Sequence, residues 1–397
     1  MYTVPLMNRL ACLACGKAYP LDIHDPFCPV HGWPLLVRPS SRRRRIKDSA
    51  DSIYERYADF LPWRRFDPAL SLGEGGTPLL ALRRLAVELG LPGLLAKNEM
   101  VNPTGSFKDR GTVVAVQKAV ELGVHCVGTI STGNMAGSTA AYAAKAGLKS
   151  LIFVKEDTSR EKIASAAVYG ASVIKVRGDY AALFRRSFEI GRERRIYFMN
   201  SVDPFRIEGY KTGGYEIFEA LGPDAFDGRQ RVRIFVPVSA GGHLIGLMRA
   251  FLDLKENGVL RSLPRFVGVQ AAGCAPVARA FARGAASVKR FPRPRTTAHA
   301  ISNPFPPGGD LTLRLLRECG GLMTSVSERA ILRAQSLLAV REGLFCDPAS
   351  AVALAAAQVL GPGSGTDVLI LTGSGLKTVE DIDPRALNIR ECGLEEI

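Results

Sequence analysis

The 397-residue sequence has no apolar run long enough to cross a bilayer, and its opening, MYTVPLMNRLACLACG, lacks the basic-then-apolar order of a secretory signal. A membrane partner is therefore not expected, and a cytoplasmic location is. Its eight cysteines lack the spacing of a disulfide framework, which fits a reducing compartment. There is no internal repeat and no long low-complexity tract. Acidic residues are outnumbered, with 38 Asp+Glu against 52 Lys+Arg, a net charge of +14. What is abundant is hydrophobic material, 47% against 23% charged, which excludes a wholly disordered chain and leaves room for two or three packed domains.

The basic excess is concentrated. Arg42–Lys47 reads RRRRIK, and Ala271–Gly309 carries six basic residues and no acidic one; without those eleven the chain is close to balanced. A run such as RRRR serves either as a solvated linker, its commoner role, or as an anion or nucleic-acid patch. The cysteines are also unevenly placed. Cys12-Leu-Ala-Cys15-Gly forms a turn that aims two thiolates at one point, and Cys28-Pro-Val-His31-Gly repeats it. Four such ligands suit tetrahedral zinc, and a segment this short lacks the core to fold without a staple. With no ligand position left open, the expected metal is structural. Cys126, Cys274, Cys319, Cys346 and Cys392 carry no assigned role.

Residues 1–37 thus read as a small zinc-ribbon-like module and 38–70 as an Arg-, Pro- and aromatic-bearing connector. Beyond it, β-rich runs alternate with helical stretches. CVGTIS (126–131), SLIFV (150–154), 172–177, IFVPV (234–238) and VLIL (368–371) read as strands, with helices over 135–146, 159–169 and about 179–192. Strand, glycine turn and helix in repetition predict an α/β fold with parallel sheets, and ligands at the carboxyl ends of the strands.

Three polar loops interrupt this scaffold. In Asn102-Pro-Thr-Gly-Ser-Phe-Lys108-Asp-Arg110, a lysine enters a helix where burial and the helix dipole lower an ammonium pKa, as condensation with an aldehyde requires. Ser131-Thr-Gly-Asn134-Met-Ala-Gly-Ser138 is a strand-to-helix turn suited to a carboxylate. Ser239-Ala-Gly-Gly-His243 can wrap backbone N–H groups around a phosphate.

In this order, and closed by Leu371-Thr372-Gly-Ser-Gly-Leu-Lys377, these loops resemble the pyridoxal-phosphate enzymes of the tryptophan-synthase-β type, most closely the threonine synthases. The resemblance runs from GEGGTPLL at Gly73 to about Lys377, and includes NSVDPFRIEGYKT (Asn200–Thr212) and SERAILRAQSLLAVREGLFCDPASA (Ser327–Ala351). It implies two parallel-sheet three-layer domains, a large cofactor-binding one over 71–110 and 215–397 and a smaller inserted one over 111–214. Lys108 would hold pyridoxal 5'-phosphate as a Schiff base and shuttle protons. Asn134 would bond the cofactor's 3'-oxygen, Ser239, Ala240, Gly241, Gly242 and His243 would cradle its phosphate, and Thr372 would face its ring nitrogen. Ser131, Thr132 and Gly133 would take the substrate carboxylate, and Asn200, Ser201 and Arg206 a substrate phosphate, since a guanidinium can grip two oxygens at once. The implied partner is a small phosphorylated amino acid, not nucleic acid. The implied reaction turns O-phosphohomoserine and water into L-threonine and phosphate, and the implied assembly is a homodimer.

Three positions depart from the pattern. Met135 stands at a substrate-contacting position where threonine synthases commonly place Thr, His243 where the glycine loop usually ends in Asn, and His31 where the module's fourth Cys would be. Cys₃His is an accepted zinc set. The other two alter polar contacts beside the bound phosphates. One charge-assisted hydrogen bond is worth roughly 1.5–3 kcal/mol, so they leave open a sister activity on another O-phospho amino acid, such as a cysteate-synthase-like use of O-phosphoserine and sulfite.

Overall fold

A computed structural model of the chain describes residues 9–38, 44–62, 66–178, 180–228 and 231–379. Arg42, Arg43 and Cys392 lie outside the described residues. Strands β1 (Arg9–Ala11), β2 (Ala18–Pro20) and β3 (Leu36–Val37) form an antiparallel sheet in the order β2-β1-β3. The connector that follows holds α1 (Ile53–Arg56), whose first turn is capped by the Ser52 side chain accepting from Glu55 N. This segment is not a solvated linker throughout. Arg44 is buried, 3.0 Å from Asp253 and with its guanidinium over the Phe60 ring, while Arg45 is exposed. Tyr54, Tyr57 and Phe60 join the main hydrophobic core, which explains why so basic a stretch stays docked.

The chain then enters a larger α/β body through β4 (Leu79–Ala81), α2 (Arg83–Leu89), β5 (Leu94–Asn98) and α3 (Lys108–Glu121). It leaves to build a second sheet from β6 (Cys126–Ile130), α4 (Asn134–Lys145), β7 (Lys149–Lys155), α5 (Arg160–Ala167), β8 (Ser172–Val176), α6 (Tyr180–Arg194) and β9 (Tyr197–Phe198). It returns along α7 (Pro204–Leu221) and completes the first sheet with β10 (Arg233–Pro237), α8 (Gly242–Glu256), β11 (Arg265–Ala271), α9 (Pro276–Ala282), α10 (Gly309–Glu318), β12 (Leu322–Val326), α11 (Glu328–Glu342), α12 (Pro348–Leu360) and β13 (Asp367–Leu371). Among the described residues, no helix is long and apolar enough to cross a membrane.

The larger sheet has the order β12-β11-β10-β13-β5-β4, parallel except for β4, which pairs antiparallel with β5. The smaller, β8-β7-β6-β9, is wholly parallel. Strand β6 is central in one, and β10, β13 and β5 are neighbours in the other. Parallel strands deliver their carboxyl-end loops to one edge, so the loops after β5, β10 and β13 converge.

Helices α3 and α7, which carry the chain out of the larger sheet and back, cross in direct contact. A Cβ on Gly209 would run into the Arg110 carbonyl oxygen, and one on Gly111 would lie 2.8 Å from the Arg206 oxygen, so only glycine permits this approach. Buried charges lock the crossing. Arg110 is fully enclosed, 2.6 Å from Glu99 and 2.7 Å from Glu216, and also donates to Thr77 and Thr212; Lys97 reaches Glu216 at 2.5 Å. Pairing of this kind offsets the desolvation of an enclosed guanidinium, and both carboxylates are held below their usual pKa despite burial.

Candidate active site

The loop from Asn102 to Arg110 is tied down almost residue by residue. Asn102 accepts from Gly75 N at 2.9 Å and donates to Glu99. Asp109 accepts from Thr104 N at 2.7 Å and from Thr104 Oγ1 at 2.6 Å. Phe107 N donates to the Thr372 carbonyl, joining this loop to the end of β13. Between these anchors Lys108 opens α3. The residue as a whole is half-buried, but its amine is enclosed, 4.3 Å from the centroid of the Phe107 ring and 5.9 Å from that of Tyr210. Burial lowers its pKa to about 7, helped by the nearby positive charge of Arg206. An amine in this state is a competent nucleophile toward an aldehyde and can accept or give a proton near neutral pH.

Lys108 lies on a cavity of about 1580 Å³ whose wall includes Ser131–Met135, Ser239–His243 and Thr372. Two helices open on it. Helix α4 starts at Asn134 after Gly133, and α8 at Gly242 after Gly241, neither with a side-chain cap. The N–H groups of each first turn have no intrahelical acceptor and carry the positive end of the helix dipole, so both suit anions. Helix α7, by contrast, is capped by Asp203, which accepts from Phe205 N and Arg206 N. The α8 turn depends on its glycines. Gly241 has φ +98°, and a Cβ there would collide with Thr312 Oγ1 while one on Gly242 would collide with the Ser201 carbonyl. A phosphate therefore fits the 239–243 turn, and an aldehyde fits the Lys108 amine, which is the donor set pyridoxal phosphate needs.

Thr372 is held from behind. Its Oγ1 lies 2.9 Å from Ser350 Oγ, which donates to Asp347 Oδ1 at 2.6 Å and accepts from Gly373 N. The Asp347 carboxyl is raised in pKa by burial, against the stabilising bonds from Ser350, and Asn134 lies within its reach. Thr372 thus offers the cavity a fixed, neutral hydroxyl. Sequence reasoning singled out neither Asp347 nor Ser350. They stand more than 20 residues from Thr372 and meet it only because α12 packs beneath β13.

Along the rest of the cavity the expected substrate residues separate. Ser131, Thr132, Gly133, Met135, Ser201 and His243 line the cavity. Asn200 and Arg206 lie behind its wall. Asn200 accepts from Ile130 N at 3.1 Å and donates to Ser187, which steadies the end of β6. Arg206 is fully buried and donates to Met199 O, Thr112 Oγ1 and Thr139 Oγ1 at 2.6–2.8 Å, bracing α3 against α4. Its charge still reaches the cavity, as the depressed Lys108 amine registers.

The two unusual side chains both line this cavity. Met135 is buried, its sulfur 3.7 Å from Ser201 Oγ. His243 stacks on Phe107 at 3.8 Å between centroids and 11° between planes, with Tyr210 edge-on at 5.6 Å. Burial, then the charges of Lys108 and Arg110, hold the imidazole well below its usual pKa, so it is neutral, and its buried Nδ1 has no hydrogen-bond partner among the described residues.

In the N-terminal sheet, Cys12, Cys15, Cys28 and His31 bring one ligand atom each within 4.8 Å of one another. His31 Nδ1 lies 3.8 Å from Cys12 Sγ and 3.6 Å from Cys28 Sγ. Zinc bonds of about 2.3 Å to sulfur and about 2.0–2.1 Å to nitrogen, in a tetrahedron, give ligand separations of about 3.5–3.8 Å. The Tyr19 hydroxyl, 3.4 Å from Cys28 Sγ, completes an outer partner for the thiolates.

Residues 70–373 match the family of pyridoxal-phosphate dependent enzymes. The chain is 37% identical over 378 residues to the threonine synthase of Methanocaldococcus jannaschii, covering 92% of each chain. It is 36% identical over 360 residues to that of Methanosarcina acetivorans, covering 89% of this chain and 87% of that one. Among solved structures it is similar to a threonine deaminase from T.th., with TM-score 0.64 and 29% identity over 78% of this chain and 94% of that one. Similarity to threonine deaminase isoform 2 from Solanum lycopersicum, TM-score 0.67 at 20% identity over 88% and 92% of the chains, is one of fold.

Proposed function

The chain belongs to the pyridoxal-phosphate dependent enzymes and, within them, to the threonine synthase family; from that premise we propose that it converts O-phosphohomoserine and water to L-threonine and phosphate. The observation that carries the reading is the enclosed Lys108 amine, near neutral in pKa, at the meeting point of the loops that follow β5, β10 and β13. Pyridoxal phosphate supplies the electron sink that makes protons on the substrate's α and β carbons removable. Lys108 holds it and, at Nζ, takes and returns protons. The 239–243 turn binds its phosphate, Asn134 orients its ring oxygen, and Thr372 presents a neutral hydroxyl to its ring nitrogen, which favours elimination and replacement over transamination.

Ser131, Thr132 and Gly133, at the open start of α4, take the substrate carboxylate. Ser201 contacts the substrate phosphate, while Arg206 adds positive charge from behind and Asn200 fixes the wall. The module holds structural zinc, in keeping with the spacing of its four ligands, and the family resemblance favours a homodimer in the cytoplasm.

Met135 and His243 favour a second reading, replacement on another O-phospho amino acid such as O-phosphoserine with sulfite, because a thioether and a neutral imidazole supply less to a dianion than hydroxyl and amide donors. Phosphate release from O-phosphohomoserine, measured beside release from O-phosphoserine with sulfite, separates the two. Threonine formation from the first is the expected result; turnover of the second alone would reject threonine synthesis.

A further inference from the structure

The N-terminal module does more than fold beside the catalytic body. His24, Phe27, His31 and Trp33 line the same cavity as Lys108. On one side, Phe27 packs edge-on against Phe184 and Phe188 of α6, at 6.2 and 5.6 Å between centroids, and Asp22 pairs with Arg192 at 3.0 Å. These contacts are to the smaller sheet's layer. On the other side, the guanidinium of Arg314, in α10 of the larger sheet's layer, lies 5.8 Å from the Trp33 ring centroid. The two gripping residues flank one knuckle: Phe27 precedes Cys28, and Trp33 follows His31 by two.

The knuckle itself is a tight backbone turn. Gly32 N donates to Cys28 O, and Cys28 N to Trp33 O, both at 2.8 Å. A metal bound by Cys28 and His31 would therefore fix the spacing between the residue that holds one domain and the residue that holds the other. His24 packs against the same helix as Phe27. Its Nδ1 is buried without a hydrogen-bond partner among the described residues, beside Gly191 of α6, where a Cβ would come within 3.1 Å.

We propose that the Cys12, Cys15, Cys28 and His31 cluster is a metal-locked clasp joining the two domains across the mouth of the catalytic cavity, with Phe27 to Trp33 as the wall that positions the amino-acid substrate. The inference rests on the zinc reading above. The clasp lies in the N-terminal module, apart in the chain from Lys108 and the 239–243 turn that would hold the cofactor, so it governs substrate capture and leaves cofactor capture alone.

The test uses the full-length holoenzyme. Zinc content is measured first, as purified and after incubation with zinc; a protein that holds no zinc under either condition overturns the zinc reading and the clasp with it. If zinc is held, removing it with a chelator, or by Cys28→Ser, is expected to raise KM for the amino-acid substrate about tenfold. The change in kcat stays within about twofold, and the visible absorbance of the lysine-bound cofactor is retained. Trp33 emission is expected to shift on zinc removal, since its ring lies 6.1 Å from that of His31. Trp33→Ala is expected to keep its zinc and show the same rise in KM, with no further rise when zinc is then removed. Zinc loss that leaves KM and Trp33 emission unchanged would overturn the clasp while leaving the zinc reading intact.

Discussion

The two walls of the cavity are built on different terms. The wall made by the larger sheet relies on backbone: uncapped N–H groups at α8, glycines that no other residue can replace without collision, and an amine whose pKa is set by enclosure. The wall made by α4 and the start of α7 relies more on side chains, and there Met135 stands where a hydroxyl is the commoner choice in the family. The lesson is that cofactor chemistry is specified by features that tolerate almost no substitution, whereas substrate choice rests on a few replaceable groups in front of a buried charge, Arg206.

Attacking the first wall should cost most. Lys108→Ala is expected to lower kcat at least about 10³-fold and to abolish the visible absorbance of the bound cofactor, read by spectrophotometry and product assay. Next comes pH. The free amine has a pKa of about 7 and only its neutral form captures an aldehyde, so cofactor uptake by the stripped enzyme should level off above pH 7. Below it, uptake should fall about tenfold per unit, which stopped-flow absorbance would register. A flat profile from pH 5 to 8 would contradict the enclosed amine. Gly241→Ala, strained at φ +98° and colliding with Thr312, is expected to weaken cofactor affinity about 10–50-fold by equilibrium titration while leaving the lysine reactive.

The second wall should respond in the opposite direction. Met135→Thr adds a hydroxyl beside Ser201, and one charge-assisted hydrogen bond worth roughly 1.5 kcal/mol corresponds to about tenfold. Steady-state kinetics should therefore show kcat/KM for O-phosphohomoserine rising about tenfold at most. If it falls instead, the corner is tuned to a different substrate, and the contrast between the walls sharpens into a difference of activity.

Legibility in the sequence follows the same divide. The runs 102–110, 131–138, 239–243 and 371–377 were readable as an ordered set that resembles one enzyme family, since each alone is equally an ordinary turn or helix start. Strands β6, β7, β10 and β13 were readable from short β-rich runs. The order of the strands was not, since repeating units carry no record of which neighbours pair, and neither was the antiparallel edge strand β4. Arg206 illustrates the limit for sites. Donor chemistry alone marks a guanidinium as an anion ligand, but the acceptors that surround it, Met199 O, Thr112 and Thr139, arrive from three distant segments. Arg44 is a second case, a member of a charge run that tertiary packing pairs with Asp253. The docking of the module against both domains had no signal at all in local pattern, because neither α6 nor α10 is near it in sequence.

The glycine contact between α3 and α7 ties two parts of the site together. Gly209 lies against the Arg110 backbone and Gly111 against Tyr210 and the Arg206 carbonyl, within three residues of Lys108 along α3 and of Arg206 along α7. Bulk added at either glycine would therefore be felt one turn away, at the reacting amine and at the buried guanidinium together.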